Sequence, residues 1–335
     1  MINKEIVVSG IRPTGNLHLG NYIGAVQNFV KMQHQYNCYF FIADYHSLTT
    51  HPNPASLHQN VKTILAEYIA CGLDPDACTL YIQSDLPQIP ELYLLLNMHA
   101  YRGELERVAS FKEKIKSQPN NVNAGLLTYP VLMAADIIIH KALKVPVGKD
   151  QEQHLEMART FANRFNRIYN CEVFPEPMAF NFGTQLVKIP GLNGGGKMSK
   201  SDGDANVINL IDSPEIITKK IKRAVTDSGP TEPNSTPPQS VQNLFDLMSA
   251  VSETETLNFF KESYANCTIR YGDLKKQLAE DMVRFINPIR ERILEISNND
   301  ELIAKAAKLG SEKAYLSAEN TLKEVRSAIG IRKLY

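Results

Sequence analysis

The chain has 335 residues, of which 43% are hydrophobic, so it exceeds one ordinary domain and can bury a sizeable core. Its 36 basic residues balance its 36 acidic residues, and 18 of each lie up to position 205, so charge gives no indication of a nucleic-acid partner in either half. No uncharged apolar run approaches a membrane span, and no signal-peptide pattern follows Lys4, so neither a membrane protein nor a secreted one is expected.

The five cysteines are odd in number and widely scattered, and none belongs to a Cys-x-x-Cys pair. This spacing argues against a disulfide framework, a zinc site or an iron–sulfur site. We therefore expect reduced thiols, a cytoplasmic location and no protein-bound structural metal.

A loop with two glycines follows the first apolar segment and leads into a predicted helix, with the sequence GIRPTGNLHLGN beginning at Gly10. Gly10 and Gly15 permit positive φ values, and a helix N-terminus offers unpaired N–H groups to a phosphate. His18 and Asn21 are three residues apart, so they are expected to share one face of the helix. The loop predicts a nucleotide site; in the alternative interpretation, Asn16 caps the helix and His18 is merely exposed.

Alternating strands and helices follow this loop. Residues 39–43 form an apolar run typical of a buried parallel strand, residues 54–71 an amphipathic helix and residues 79–83 the next strand. This order predicts a doubly wound sheet, in which ligands bind outside the carboxyl ends of the strands. His46 lies near such an end, although a histidine there is more often structural than a ligand contact.

The helix predicted over residues 126–139 contains a single carboxylate, Asp136, within an apolar run. Burying this carboxylate without a donor would be costly, so it must have a partner. An indole N–H is one candidate, and an ion pair with a distant Arg or Lys is the alternative. The preceding segment, 87–116, is helical by composition, and Lys112 and Lys116 near its end are expected to be solvated.

Residues 145–147 predict a short strand, and the turn at 148–151 leads from it into another helix. This is again a loop at the carboxyl end of a strand. Asp150 in the turn is suited to accept hydrogen bonds from ribose hydroxyls, or it simply caps the helix. The buried face of that helix is expected to carry Leu155, Phe161 and Phe165.

A glycine-rich stretch at 191–197 satisfies all of a Walker A pattern except the last position, which is Met198. A thioether cannot replace the Ser or Thr hydroxyl that binds Mg²⁺, so we do not predict a P-loop.

Beyond residue 204 the pattern consists of helices alone. The apolar positions of residues 274–296 form one stripe, interrupted by Pro288, which is expected to kink the helix. The basic run at 219–223 is more typical of a solvated helix face than of an RNA contact. A second stripe comprises Tyr315, Ala318, Leu322, Val325 and Ile329.

The motif HLGN at 18–21, taken with KMSKS at 197–201, resembles the paired nucleotide motifs of class I aminoacyl-tRNA synthetases. Further stretches are similar to the bacterial tryptophanyl-tRNA synthetases: GELER at 103–107, LLTYPVLMAADI at 126–137, VPVGKDQ at 145–151 and AVTD at 224–227. The resemblance covers nearly the whole chain. It implies an α/β fold with a Rossmann-like parallel-sheet catalytic domain at 1–205, followed by an all-helical anticodon-binding domain at 206–335.

The resemblance also implies the reaction and its partners. L-tryptophan attacks ATP, supplied with Mg²⁺, to give the adenylate and pyrophosphate, and tRNA(Trp) then accepts the tryptophan; a homodimer is implied as well. A carboxylate is already ionised, so the first step needs positioning and charge but no general base. The implied catalytic residues are His18, Asn21, Lys197 and Lys200, with glycines 194–196 as a mobile arm that brings both lysines to the pyrophosphate.

Matching positions assign two sets of ligand contacts. The implied ATP set comprises Arg12, Pro13, Thr14, Gly20, Asn21, Lys114, Gly148, Lys149, Asp150, Val187, Lys197, Met198, Ser199, Lys200 and Ser201. The implied tryptophan set comprises Val8, His46, Tyr129, Met133, Asp136, Val145, Val147 and Gln151.

Two residues depart from the family pattern: Asn21 replaces the His of the commoner motif, and Arg12 stands where another branch has Gln, so its role is open. A tyrosyl-tRNA synthetase is the nearest alternative, but it would need two polar partners for the phenol, and only Asp136 has a matching context. A stand-alone adenylyltransferase would not need the helices after 205. An RNA-binding or regulatory paralogue with a dead site is the third alternative, and the intact KMSKS weighs against it.

Overall fold

The structure, a computed structural model, describes residues 4–117, 119–148, 151–182, 188–332 and 334. Its strands are Ile6–Ile11 (β1), Asn37–Ile42 (β2), Thr79–Ile82 (β3), Lys144–Val145 (β4) and Met178–Ala179 (β5). They form one parallel sheet in the order β3-β2-β1-β4-β5. In chain order, β2 and β3 extend the sheet on one side of β1, and β4 and β5 then extend it on the other side. The crevice between the ends of β1 and β4 is therefore the switch point where ligands bind in such sheets.

Helices cover both faces of the sheet. Those before residue 170 are Leu19–Asn21 (α1), Gln27–Met32 (α2), Asp44–Ser47 (α3), Pro54–Ala70 (α4), Gln88–Asn97 (α5), Arg102–Leu105 (α6), Ala109–Ser117 (α7), Ala124–Ile138 (α8) and Glu152–Tyr169 (α9). The strands and helices predicted over 39–43, 54–71, 79–83 and 126–139 are confirmed, with small differences at their ends. The segment 87–116 differs, because it contains three short helices; α5 ends where the Asn97 amide bonds back to the carbonyl of Tyr93.

Two details of the strands differ from the sequence interpretation. Gly10 lies inside β1 and is not among the glycines with positive φ, whereas Gly15 has φ +98° as expected. A Cβ at Gly10 would come within 2.4 Å of the Phe41 ring, so glycine is required there for close packing. The strand predicted over 145–147 is also wrong at its C-terminal end, because β4 ends at Val145.

The helices after residue 206 are Pro214–Lys222 (α10), Gln239–Val251 (α11), Thr254–Ala265 (α12), Tyr271–Ser297 (α13) and Asp300–Ile329 (α14). The stripe predicted on α13 is confirmed as a core face, and the helix continues through Pro288. The second stripe is wrong at Tyr315, which is 43% exposed. The buried face of α14 instead follows Gly310, Ala314, Ala318, Leu322 and Val325.

The helical part contributes to three core clusters, one of which contains Ile293 of α13 and Ile303 of α14 together with residues of β2 and α4. Helices α10 to α13 pack with Leu19, Ile189 and Met198 in one cluster. Helix α14 returns to the sheet, where Ala314 and Ala318 join the cluster formed by the strands and by α5, α8 and α9. The last helix therefore packs as a layer on the sheet, although it follows the boundary predicted at 205.

All five cysteines are free thiols. In the ranges given above, no helix is both long enough and apolar enough to cross a bilayer.

Candidate active site

The backbone of the first loop is joined to the segment that follows the second motif. The Leu19 N–H donates to the carbonyl of Ile208 at 2.9 Å, and the Leu17 carbonyl accepts from the Leu210 N–H at 2.9 Å. The side chain of Met198 is buried in the same core cluster as Leu19. The two motifs, far apart in the sequence, therefore meet beside the carboxyl end of β1.

His18 begins α1 as its N-cap residue and forms a reciprocal pair with Asn21. Its Nδ1 accepts the Asn21 N–H at 3.3 Å, while Asn21 Oδ1 accepts the His18 N–H at 3.2 Å. Burial, with the nearby Lys200 and Lys197, lowers the pKa of His18 to about 4. Because Nδ1 accepts, the proton of this neutral ring lies on Nε2. The alternative in which Asn16 caps the helix and His18 is exposed is wrong, because His18 is itself the N-cap and is buried. The role of His18 toward the phosphates stays a prediction, and a neutral ring can fill it as an Nε2–H donor.

Two lysines approach His18 from the second motif. Lys200 Nζ donates to the Thr14 carbonyl at 3.3 Å, and burial lowers the pKa of Lys200 against the opposing effect of Glu67. Among the described residues, neither Lys197 nor Lys200 forms an ion pair with a carboxylate. A half-buried cation without a counter-ion suits an anionic ligand such as a phosphate.

The glycine-rich arm is a tight hairpin. The Gly191 N–H donates to the Gly196 carbonyl at 3.0 Å, and the Asn243 amide of α11 donates to the Gly195 carbonyl at 2.8 Å. The arm is therefore tied to the helical part, and its predicted mobility stays a prediction.

Asp136 on α8 is completely buried and receives hydrogen bonds from two side chains. His46 Nε2 lies 2.9 Å from Oδ2, and Gln83 Nε2 donates to Oδ1 at 2.8 Å and to Oδ2 at 2.9 Å. Burial raises the pKa of Asp136, and the bonds from His46 and Gln83 oppose that rise. The donor that the sequence required is confirmed, and in the described part of the chain no Arg or Lys pairs with Asp136. Gln83 was missed; its position directly after a strand was the only signal.

Aromatic and aliphatic side chains surround this carboxylate. The Tyr129 ring contacts His46 edge-on at 4.8 Å and His154 at 5.3 Å, and His154 Nδ1 pairs with Gln151 Oε1 at 2.9 Å. Among the described atoms, Gln83 Oε1 and His46 Nδ1 have no hydrogen-bond partner. The remaining members of the predicted tryptophan set belong to the sheet core or pack against it, namely Val8, Met133, Val145 and Val147. Such a lining suits a flat aromatic ligand with one donor.

Arg12 and Lys114 lie next to Tyr129. Lys114 Nζ lies 3.9 Å from the centre of the Tyr129 ring. Burial lowers the pKa of Arg12, and burial together with Arg12 lowers the pKa of Lys114. The two cations therefore lie between the nucleotide loop and the surroundings of Asp136, where a carboxylate or an α-phosphate would fit.

The other predicted contacts divide into three groups. The Met198 side chain is buried in the core cluster that contains Leu19, and its predicted contact with ATP stays a prediction. Gly20 lies under the His18 ring, and Ser199 Oγ pairs with Ser201 Oγ at 2.7 Å. Lys149, Asp150 and Val187 lie outside the described residues, whereas the neighbouring Gly148 accepts the Gln151 N–H at 2.9 Å.

His46 and Tyr129 also border a separate cavity of about 340 Å³, whose lining includes Tyr45, Tyr93 and Thr128 but neither Asp136 nor Met133. Within the described ranges, no group of three or more His, Cys, Asp and Glu side chains could hold a metal ion.

The model of the family described as tRNA synthetases class I (W and Y) matches residues 3–287. The tryptophan–tRNA ligase of Porphyromonas gingivalis is 61% identical over 328 residues, which cover 98% of this chain and 100% of that protein. The tryptophan–tRNA ligase of Rickettsia conorii is 42% identical over 333 residues, covering 98% and 99%.

Solved structures agree with this likeness. The tryptophanyl-tRNA synthetase of Campylobacter jejuni, complexed with ADP and tryptophan, superposes with a TM-score of 0.86 at 31% identity, covering 97% of this chain and 99% of that one. The enzyme of Mycoplasma pneumoniae gives a TM-score of 0.83 at 32% identity, covering 98% of both chains.

Proposed function

Because the chain belongs to the class I tRNA synthetases for tryptophan and tyrosine, we propose that its two motifs and the surroundings of Asp136 form one site for tryptophan adenylation. The activity of the chain is the ATP-dependent attachment of tryptophan to tRNA. The observation that supports the proposed site is the series of contacts that joins the buried Asp136 to the first loop, from Asp136 to His46, from His46 to the Tyr129 ring and from Tyr129 to Arg12.

In the first step, the tryptophan carboxylate attacks the α-phosphorus of ATP. A bond forms between the carboxylate oxygen and this phosphorus, and the bond to the bridging oxygen breaks, so pyrophosphate leaves with the electron pair. Lys197 and Lys200 stabilise the charge that develops on the pyrophosphate, and the neutral His18 donates its Nε2–H to a phosphate oxygen. Asp136 accepts the indole N–H and thereby orients the amino acid.

In the second step, the 2′-hydroxyl of the terminal adenosine of tRNA(Trp) attacks the carbonyl carbon of the adenylate, and AMP leaves. Mg²⁺ enters as the complex with ATP and is held by its phosphates. We assign Arg12 and Lys114, two cations beside Tyr129, to the reacting carboxylate or the α-phosphate, since a guanidinium suits an anion better than the neutral amide of Gln would.

We assign tRNA binding to helices α10 to α13, whereas α14 packs on the sheet. An open groove of about 580 Å³ along α10 is lined by Lys219, Lys222 and Arg223. Lys220 points away from it and pairs with Asp212 at 2.9 Å. Among the residues that the structure describes, these three side chains form no ion pair, and cations beside a groove support contact with a phosphate backbone, although Glu215 also lines this groove.

Two further assignments rest on the family. A homodimer is supported by the exposed apolar side chains of Leu94, Met98 and Tyr101, which lie along and just beyond α5. A cytoplasmic location is supported by the role of the relatives in tRNA charging.

Lys197→Ala and Lys200→Ala test the nucleotide half of the proposal. Each is expected to raise the activation free energy of tryptophan-dependent ATP–pyrophosphate exchange by about 2–4 kcal/mol, because each removes a cation that acts mainly in the transition state. Tryptophan affinity, measured by equilibrium dialysis, should stay near wild type. An equal loss of ground-state ATP binding and of rate would contradict the mechanism.

A further inference from the structure

The side chain of Glu67 on α4 contacts the backbone of the nucleotide loop, residues 10–21. Its side chain is completely buried, and Oε2 accepts the Leu17 N–H at 2.6 Å. The other oxygen, Oε1, has no partner among the described residues. Burial raises the pKa of Glu67 to about 8, and the ammonium of Lys200 opposes that rise. Burying a carboxyl group costs free energy. One hydrogen bond to a backbone N–H therefore does not by itself account for a buried glutamate at this position.

The contact acts on the residue immediately before His18. The Leu17 N–H is held by Glu67, and the Leu17 carbonyl is held by the Leu210 N–H from the segment after the second motif. The two peptide groups that flank Leu17 are therefore each held by a hydrogen bond, and the next residue, His18, is the N-cap of α1, with Lys197 and Lys200 near its ring. Because the chain turns into α1 at this point, a shift of the Leu17 peptide would move the His18 ring.

We propose that Glu67 is a positioning residue for adenylate formation, which holds the Leu17 peptide and thereby sets His18 and Lys200 around the phosphates of ATP. This inference rests on the proposed function of the loop. Glu67 touches no substrate itself; it acts through the loop and through its proximity to Lys200. Small displacements of such groups reduce the rate strongly, because the transition-state contacts depend on their geometry.

Three substitutions distinguish a positioning role of Glu67 from a role in packing alone. Glu67→Gln keeps an oxygen that can accept the Leu17 N–H, Glu67→Met keeps the volume without a strong acceptor, and Glu67→Asp keeps the carboxyl but shortens its reach. Tyr68→Phe is the matched control, since Tyr68 is the neighbouring buried residue and its hydroxyl has no partner among the described residues.

The measurement is the rate of adenylate formation per active site, with active sites counted from the burst of pyrophosphate release so that unfolded protein does not enter the rate. We expect Glu67→Gln and Tyr68→Phe to stay within about twofold of wild type. Glu67→Met and Glu67→Asp should each lose about tenfold or more, as for a buried donor left unpaired. Tryptophan affinity by equilibrium dialysis should be unchanged in all four variants.

Rates for Glu67→Met and Glu67→Asp that match Tyr68→Phe would overturn the proposal and leave Glu67 as a structural residue. If Glu67→Met fails to fold, Glu67→Asp decides the question alone. A wild-type protein without any tryptophan-dependent exchange would instead overturn the proposed function, so the two failures are distinguishable.

Discussion

Asp136 is buried, and among the described residues it has no Arg or Lys partner, which leaves its acceptor strength available to a ligand. His46 and Gln83 hold it in place through hydrogen bonds. Asp136→Ala is expected to raise the KM for tryptophan about 10- to 100-fold and to erode discrimination against phenylalanine, since the indole N–H loses its acceptor. The KM for ATP should remain near wild type, because in the proposed site Asp136 binds the indole and not ATP. ATP–pyrophosphate exchange kinetics with tryptophan and with phenylalanine measure these KM values and the discrimination.

Asp281 provides a matched control, because it is another buried carboxylate but lies on α13, away from the site. Asp281→Ala should lower thermal stability and leave amino-acid selectivity unchanged. Wild-type tryptophan kinetics in Asp136→Ala would mean that this carboxylate is structural and that the amino-acid pocket is misassigned.

Single residues were predictable only where their chemistry conflicted with their surroundings. Asp136 stood out as a carboxylate in an apolar helix, and the need for a donor partner followed from that conflict. Glu67 lies in a similarly apolar run, ILAEYIA, and the same signal could have found it. Gln83 carries no such conflict, since an amide after a strand is unremarkable. The protonation state of His18 depends on burial and on two distant lysines, which the sequence does not show.

At the scale of elements, the packing of α14 on the sheet depends on one glycine. A Cβ at Gly310 would lie 1.6 Å from the carbonyl oxygen of Leu80 in β3, and backbone cannot yield as a side chain can. Gly310→Ala is therefore expected to destabilise the fold by about 3 kcal/mol or more in urea unfolding. Gly272→Ala is the control, because no atom lies within 4 Å of its added Cβ. A Gly310→Ala variant as stable as the wild type would contradict the close approach of α14 to the backbone of β3.

His140 ties the end of α8 to β3 and α14. Its Nε2 lies 3.0 Å from the Tyr81 hydroxyl and its Nδ1 lies 3.0 Å from Ser317 Oγ. Burial lowers the pKa of His140 to about 3, whereas an unfolded histidine titrates near pH 6.5. Below pH 6.5 the unfolded chain gains a proton that the folded chain cannot accept until about pH 3, so stability falls as the pH falls through this window.

His140→Gln removes this linkage. Between pH 7 and pH 5, the free energy of unfolding of the wild type should fall by about 2 kcal/mol more than that of the variant, as measured by urea titration at both pH values. Other histidines contribute equally to both proteins and cancel in the difference. Parallel pH dependences would show that His140 is not buried in its neutral form.

Elements were predictable from periodicity, but their neighbours were not. The apolar runs of β2 and β3 and the stripe on α13 identified these elements correctly. The part of α14 that packs on the sheet includes Gly310 and Ala314, and such small residues give no indication of which surface they pack against. Its assignment to the helical part therefore followed sequence order, whereas the structure packs it on the sheet.

For the whole molecule, the two nucleotide motifs meet because the segment after the second one pairs with the first loop. Composition and charge could not reveal this, since both halves carry balanced charge; the resemblance to a family supplied the link. The pairing at Leu17 and Leu19 gives a physical reason for the convergence, because both backbone partners come from residues 208–210.

The most direct test of the account is tryptophan activation by the intact wild-type chain. ATP–pyrophosphate exchange is measured with each of the twenty amino acids separately, in the presence of Mg²⁺. We expect the rate of exchange with tryptophan to be at least about 100-fold above the rate with tyrosine or phenylalanine, since only the indole offers a neutral N–H to the single buried acceptor. Exchange that is fastest with tyrosine, or absent with every amino acid, would contradict it.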